Sequence, residues 1–594
     1  MARVAPIGKI TPISQAGRKT TQRTVGGTYQ AVFVMGIISL LLLGGIGSRL
    51  AYLQIVEGKT NQERAENNRI RTIPKQPVRG TIFDRKGKVL ASSRLSHSVF
   101  IWPIAQTKNN WDKTVERLAR VLEIPEEEIR QKVTQSDYSA PTLIRIARGL
   151  DVGQITALKE YNSDLEGIEI DIEHVRDYPE EDLGAHVLGY TGELDAEQLE
   201  KRKKDGYRLG DIVGQMGVEE SLESQLRGEW GGKQVEVNGK GKVLRILGQK
   251  EAKAGKDITL TLDAELQKVA AATLGRRKGA IVALDPRNGE VLAMASYPTF
   301  DPNIFSGRIT PQMWEELQGE GNPFVNRALR GFPPASTFKV VTATAGMESE
   351  KYPPGTVLNT FAYLRVGGTA FGEWNKAGFG PLGYVRAMAW SSNTFFGQIG
   401  RGVSGPTLID WSRRYGFGEK TGIELSSESG GLIADEKWKQ ENYDWEWTVG
   451  DTINMSIGQG FTQATPLQVA VMFAVVANGG YRVTPHLFKE EKDESEWRTS
   501  LDLEPETLET LRSGLRAVIT TGTGSKLGYV PMAGKSGTAE APPGPTHAWF
   551  GGYAPYNDPE IVVVAFAENS GGGGSKVAGP MVAKVVDAYL KGKK

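Results

Sequence analysis

An uncharged stretch from Val25 to Ser48 divides this chain before anything else can be read from it. Its apolar heart, AVFVMGIISLLLL, runs from Ala31 to Leu43. In a bilayer, an apolar run of roughly 20 residues satisfies its backbone by folding as a helix. Arg3, Lys9, Arg18, Lys19 and Arg23 precede the run, and no acidic residue occurs before Glu57. Positive charge on one flank assigns that flank to the cytoplasm. The expectation is a cytoplasmic tail over 1–28, a transmembrane helix over 29–50, and the bulk of the chain outside the cytoplasm. A cleaved signal peptide, with Gly45-Ile46-Gly47 as a weak site, is the competing reading, but leader and apolar run are both long for one. No second run of comparable length follows, so a single pass is expected. Gly44 and Ser48 form a small-residue face that suits contact with another membrane helix.

What lies beyond the anchor is too long for one core: the chain has 594 residues, enough for two to four domains. Its 71 Lys+Arg against 70 Asp+Glu give no electrostatic reason to bind nucleic acid. It has no cysteine, which excludes disulfides, thiolate chemistry and Cys-ligated zinc. Residues 51–264 read as a non-catalytic pedestal domain. They hold short strand pieces (GTIFD, KVLAS, HSVFIW), a helical stretch over 112–135, an alternating strand over 165–175 and a hairpin turning at Asn238-Gly239. Composition shifts near 265, and 265–594 reads as a second domain. ELQKVAAATLGRR is an amphipathic helix, GAIVALD and GEVLAMASYP are apolar strands, and AWFGGYAP and EIVVVAFAEN form two more near the C-terminus. A helix over 577–591 ends the chain, and SGGGGS at 570–575 reads as a flexible loop. Strands at both ends of a domain with helices between them predict an α/β (α+β) fold, an antiparallel sheet flanked by helices.

Three short motifs carry chemistry. Ser336-Thr337-Phe338-Lys339 follows Pro333-Pro334 and opens an apolar helical run. Ser336 is thus at a helix start, where free N–H groups and the positive dipole end favour developing negative charge. Lys339 lies on the same face, and desolvation among apolar neighbours fits it to act as a base. S-x-x-K occurs once in the chain, yet alone it also describes a capping serine and an ordinary lysine. Ser391-Ser392-Asn393 falls between two helical stretches. Ser391 suits a proton relay and Asn393 a hold on Lys339 or a substrate carbonyl, although both residue types are common helix caps. Lys535-Ser536-Gly537-Thr538 precedes the C-terminal strands. On a sheet edge it suits pairing with an extended peptide, with Lys535 supplying charge and Ser536 and Thr538 binding a carboxylate. Gly537 admits a close approach, and the N–H groups of Ser336 and Thr538 suit an oxyanion hole. Lys420-Thr421-Gly422 fits the same K-[ST]-G pattern, but strand patterning and spacing favour 535–538.

The three motifs in this order form a recognised set, and with them the chain resembles the class B penicillin-binding proteins over nearly its whole length. Arg79-Gly80, Asp84-Arg85-Lys86-Gly87, Gly214-Gln215-Met216-Gly217-Val218-Glu219 and Leu226-Arg227-Gly228 are like that family's pedestal segments. Val449-Gly450-Asp451-Thr452, Ser456-Ile457-Gly458-Gln459-Gly460, Thr465-Pro466-Leu467-Gln468 and His547-Ala548-Trp549-Phe550 are similar to the elongation-type members, the penicillin-binding protein 2 group. The resemblance implies a peptidoglycan D,D-transpeptidase that cross-links stem peptides ending in D-Ala-D-Ala and is inhibited by β-lactams. It implies Ser336 as nucleophile, Lys339 as base, Ser391 and Asn393 as the second motif, and Lys535, Ser536, Gly537 and Thr538 as the substrate strand. A SEDS-type glycosyltransferase and other elongation-complex proteins are the implied partners, and no cofactor is implied. Some elongation-type relatives bind zinc through His, Asp and Cys. With no Cys, and no His between His186 and His486, no metal is expected here. The scattered His97, His174, His186, His486 and His547 read as structural, His547 being the nearest to a motif. A septal transpeptidase, a D,D-carboxypeptidase or β-lactamase, and a non-catalytic sensor or scaffold are the alternatives. Glu424-Leu425-Ser426 is only a faint echo of a lactamase loop.

Overall fold

The computed structural model describes residues 25–59, 70–134, 143–161, 165–208, 210–237, 243–319, 321–489 and 497–593. Val25–Ala51 forms one helix, α1. Tyr29–Val56 has a mean hydropathy of 2.2 and is the one helix among the described residues long and apolar enough to cross a membrane. The 27 residues of α1 extend about 40 Å, more than a ~30 Å hydrocarbon layer requires. The described residues group into two compact units, one holding α1 and residues 234–247, the other Thr72–Lys233 with Gly248–Lys594.

In the larger unit, the strand pieces expected at KVLAS and HSVFIW are one continuous strand, Val89–Ile101. It pairs antiparallel with Ile168–Asp177 from Ser92↔Asp177 to Ile101↔Ile168, and with Ile144–Arg148. The helical stretch expected over 112–135 is two helices, Trp111–Leu122 and Glu126–Thr134. Pro125, which lacks an N–H to continue the ladder, sits between them. Val99, Ile101, Val115, Leu118, Ile129 and Val133 form a small separate core. The turn at Asn238-Gly239 lies outside the described residues, although Gly231–Val237 and Val243–Lys250 are strands on either side of it.

Three buried carboxylates tie this region together. Glu219, fully buried, takes Arg79 at 2.6 Å and Arg176 at 2.5 Å, and Glu223 takes a second Arg79 nitrogen at 2.7 Å. Removing such charges from water is tolerable only when they are paired and hydrogen-bonded. Asp84 accepts from the N–H groups of Lys86 and Lys88, both at 2.8 Å, and from that of Ala264 at 3.1 Å. Strand Ile82–Phe83 pairs parallel with Ile258–Thr259, so the start and end of the 82–259 segment are hydrogen-bonded neighbours.

The sheet of the C-terminal half comprises β1 (Gly279–Leu284), β2 (Val291–Tyr297), β3 (Ala533–Ala541), β4 (Gly544–Ala554) and β5 (Ile561–Ala567). Their order is β2-β1-β5-β4-β3, antiparallel throughout. Every residue of β1 and β5 is buried, which is why their sequences are continuous apolar runs rather than alternating ones. The helices needed here are α2 (Ala264–Leu274), α3 (Lys339–Glu348), α4 (Tyr384–Trp390), α5 (Asn393–Val403), α6 (Pro466–Ala477) and α7 (Gly574–Gly592). Adjacent strand residues point to opposite faces. Phe550 lies against Gly579 of α7, and Gly551 faces Phe473 of α6. The sheet is therefore covered on both sides. All twelve residues of α6 are buried, so this apolar helix is core and not a second span. The TPLQ segment caps it. Thr465 and Gln468 exchange side-chain-to-backbone hydrogen bonds at 3.0 and 2.9 Å with Pro466 in the first turn, a capping box.

Candidate active site

Ser336 sits in a short 3-10 turn, Ala335–Phe338, that runs directly into α3. Two features hold that turn. Ala335 has a φ of 51° and donates its N–H to Gly458 O at 2.8 Å. Gly458 has a φ of 71°, and a Cβ there would come within 2.2 Å of Ala335 O. The SIGQG segment thus has a local reason: only a residue without a side chain fits under the serine turn.

Lys339 begins α3 and is fully buried. Its Nζ donates to Ser391 O at 2.8 Å, to Ser391 Oγ at 3.3 Å and to Asn393 Oδ1 at 2.7 Å. Among the described residues it makes no ion pair. Burial pushes its pKa down from 10.5 to about 7, with Glu373 pulling the other way. Ser391 is the left-handed residue between α4 and α5, with φ of 57°. Ser392 caps α5 by accepting the Phe395 N–H at 3.2 Å. Asn393 also donates to Gly372 O at 3.0 Å, which fixes its amide so that the oxygen faces Lys339.

Lys535 lies on β3, the sheet edge, and is also fully buried. Its Nζ donates to Ser391 Oγ at 2.8 Å and to Ser536 O at 2.9 Å. Burial, and then the neighbouring Lys339, hold its pKa well below the ordinary lysine range. The Ser391 hydroxyl is therefore bracketed by two lysines, neither bonded to a carboxylate, which disfavours a charge on both. A cleft of about 1160 Å³ opens over Ser336, Ser391, Asn393, Ser536, Gly537 and Thr538. All eight residues singled out in the sequence thus meet in this one region. Ser536 Oγ lies 3.0 Å from Thr523 Oγ1, and Thr538 Oγ1 accepts the Gly574 N–H at 3.2 Å.

The SGGGGS stretch is not a free loop. Its last glycine, Gly574, begins α7, and a Cβ there would fall 2.1 Å from Trp549 O and 2.3 Å from Gly537 O. The glycines let the helix start seat against β3 and β4 and wall the cleft. Lys420 does not join the site. It lies in a loop where the N–H and hydroxyl of Thr421 donate to Glu428 at 2.7 and 2.6 Å. Glu424 accepts from the Leu487 N–H at 3.0 Å and does not line the cleft. His547 Nδ1 accepts the Asn569 N–H at 2.9 Å, and buried His186 contacts Pro323 O at 2.6 Å, with burial lowering its pKa to about 4.

Glu373 went unnoticed in the sequence. It follows a hairpin, Tyr363–Val366 and Thr369–Gly372, and is buried to 1 % exposure. It accepts from Ser392 Oγ at 2.6 Å, from the Thr394 N–H at 3.0 Å and from Thr394 Oγ1 at 3.2 Å. It clamps the second motif and the start of α5, and it is the carboxylate that acts on Lys339. A lone Glu in a polar segment carries no pattern by which sequence could have found it.

Comparison with known proteins fits this geometry. The family profile described as Penicillin binding protein transpeptidase domain matches residues 279–587, and Penicillin-binding Protein dimerisation domain matches 74–260. The chain is 34% identical to the peptidoglycan D,D-transpeptidase MrdA of Haemophilus influenzae, covering 98% of this chain and 94% of that protein. It is 33% identical to MrdA of Acinetobacter baumannii, covering 94% and 87%. Among solved structures, penicillin-binding protein 2 of Helicobacter pylori, in complex with MreC, matches with a TM-score of 0.79 at 29% identity, covering 88% of this chain and 100% of that one. A chain from a peptidoglycan synthase complex that coordinates polymerization and crosslinking matches with a TM-score of 0.68 at 34% identity, covering 94% and 98%.

Proposed function

The chain belongs to the class B penicillin-binding proteins, and from that membership we propose how its cleft works. It is a serine-type D,D-transpeptidase that cross-links peptidoglycan, of the elongation type. Ser336 Oγ attacks the penultimate D-Ala carbonyl of a stem ending in D-Ala-D-Ala. Neutral Lys339 takes the hydroxyl proton, with Asn393 orienting its nitrogen. The oxyanion is stabilised by the N–H groups of Ser336 and Thr538. The C–N bond to the terminal D-Ala breaks, and the leaving amine takes a proton through the Ser391 hydroxyl. An amine of a neighbouring stem then attacks the acyl-enzyme, Ser336 leaves with its proton restored, and the cross-link is made. Ser536 and Thr538 hold the terminal carboxylate, with Lys535 buried behind them, while Gly537 lets the peptide lie against β3. A β-lactam acylates the same serine and stalls there.

The observation that carries this reading is Lys339, which is buried, bonded to no carboxylate and tied to Ser391 and Asn393 beneath the Ser336 cleft. Intact-mass spectrometry of the full chain with a penicillin tests it. A stable adduct on Ser336, lost in Ser336→Ala, is expected. A folded chain that leaves the drug intact and gains no mass would return the protein to a scaffold role.

The apolar helix near the N-terminus serves as a membrane anchor. Its basic leader supports a cytoplasmic N-terminus with the bulk periplasmic. Residues 51–264 are the pedestal and 265–594 the transpeptidase domain. By likeness to the chain from a peptidoglycan synthase complex and to the relative solved with MreC, a SEDS-type glycosyltransferase and other elongation-complex proteins are its partners.

A further inference from the structure

Beside the catalytic cleft, a groove of about 680 Å³ runs between the end of α2 and the first half of α7. Its rim carries Arg277, Lys278, Lys576 and Lys584. On α7, Lys576, Pro580 and Lys584 recur at the spacing that puts them on one helix face. All four cations are exposed, and among the described residues none of them makes an ion pair. The one carboxylate lining the groove, Glu568, is already committed to the buried Arg327 guanidinium at 2.7 Å. Two more lining side chains, Thr273 and Ser570, place buried hydroxyl oxygens there without a hydrogen-bond partner. Clustered uncompensated cations above unused hydroxyls make a receptor for carboxylate or phosphate oxygens.

The groove is not isolated from the chemistry. Lys576 and Pro580 line both it and the catalytic cleft, so the two cavities adjoin across the first turns of α7. The same helix start is seated on the substrate strand through the Gly574 N–H and Thr538 Oγ1. Lys576, which lines both cavities, is where an anionic chain occupying the cleft would cross into the groove. We propose that this groove is a second subsite, which binds the internal carboxylates of a peptidoglycan stem peptide whose reacting end lies over Ser336. This rests on the transpeptidase reading above. It assigns to the groove a selection for internal carboxylates, in addition to the terminal one held in the cleft. The choice of a peptide over a lipid headgroup or free phosphate rests on that continuity with the cleft.

The test uses the full chain and two stem peptides, both ending in D-Ala-D-Ala with a free terminal carboxylate. One has free internal carboxylates and the other has them as carboxamides. The wild-type chain should favour the carboxylate peptide by a lower KM. In Arg277→Gln/Lys584→Gln that KM should rise about fivefold, as two exposed charge contacts are lost, while the KM of the carboxamide peptide stays put. Raising the salt should erode the wild-type preference. Penicillin acylation of Ser336 should be equal in both chains, because neither substituted residue lines the cleft. Equal KM values for the two peptides in the wild type, or an unchanged preference in the variant, overturns the subsite. So does a variant that keeps its peptide preference but loses binding to phosphatidylglycerol vesicles or to inorganic phosphate. Failure of penicillin to acylate the wild type would instead overturn the transpeptidase reading, and so the two failures are distinguishable.

Discussion

At the scale of single residues, the site depends on a lysine held away from water. Lys339 has its pKa lowered from 10.5 to about 7 by burial, so it is mostly neutral above that pH and charged below it. In the proposed mechanism only the neutral amine accepts the Ser336 proton. The acylation rate constant for a penicillin should therefore rise about tenfold per pH unit below pH ~7 and level off above it. A limb still rising toward pH ~10 would mean that the amine titrates as it does in water. Glu373 modulates the same group, since its negative charge favours the ammonium. Replacing it as Glu373→Gln should move the acid limb to lower pH. The amide cannot accept all the bonds now made by Ser392 and Thr394, so stability should fall by about 1–3 kcal/mol in thermal unfolding. A lower rate at every pH with the limb unmoved would assign Glu373 a purely structural part.

At the scale of elements, the cleft depends on segments far apart in sequence being close in space. The serine turn rests on the SIGQG segment, and β3 rests on the glycine start of α7. Gly458→Ala forces a side chain into a left-handed residue and against Ala335 O. A loss of about 1–3 kcal/mol is expected by denaturant titration, together with slower acylation because the Ser336 turn moves. Wild-type acylation at lowered stability would show that the turn tolerates the shift. Helices α2 and α7 were largely legible as apolar or amphipathic runs. The break at Pro125 and the docking of SGGGGS were not. A run of glycines reads as slack until a neighbouring backbone requires the space.

At the scale of the whole molecule, the motifs outside the catalytic half also have a physical account. Arg79 and Arg176 share buried Glu219, and Asp84 reaches the N–H of Ala264. Glu219→Ala would leave the buried Arg176 guanidinium without its counter-charge and Arg79 with Glu223 alone, at a cost of about 3–5 kcal/mol. Thermal unfolding should register that loss, and an unchanged midpoint would mean that water reaches the arginines. The N-terminal helix, 0% buried and uncharged over its apolar heart, fits a membrane anchor set apart from the cleft in sequence. A chain beginning at Ala51 should be acylated by penicillin at the full-length rate while no longer sedimenting with membranes. A large loss of acylation would give the helix a role beyond attachment.

Local chemistry is what the sequence by itself determined. The apolar length of the anchor, the buried strands β1 and β5, the helix start at Ser336 and the three motifs are each encoded in a few consecutive residues, because periodicity, capping and side-chain type act over that range. Only the tertiary structure decided that one hydroxyl, Ser391, lies between two lysines. It also decided that Glu373 is the carboxylate beside them. Those facts depend on burial and on contacts between residues up to 144 positions apart. Burial is a property of the packed molecule: the same lysine in an unfolded chain would keep its charge, and with it no capacity to take a proton from serine.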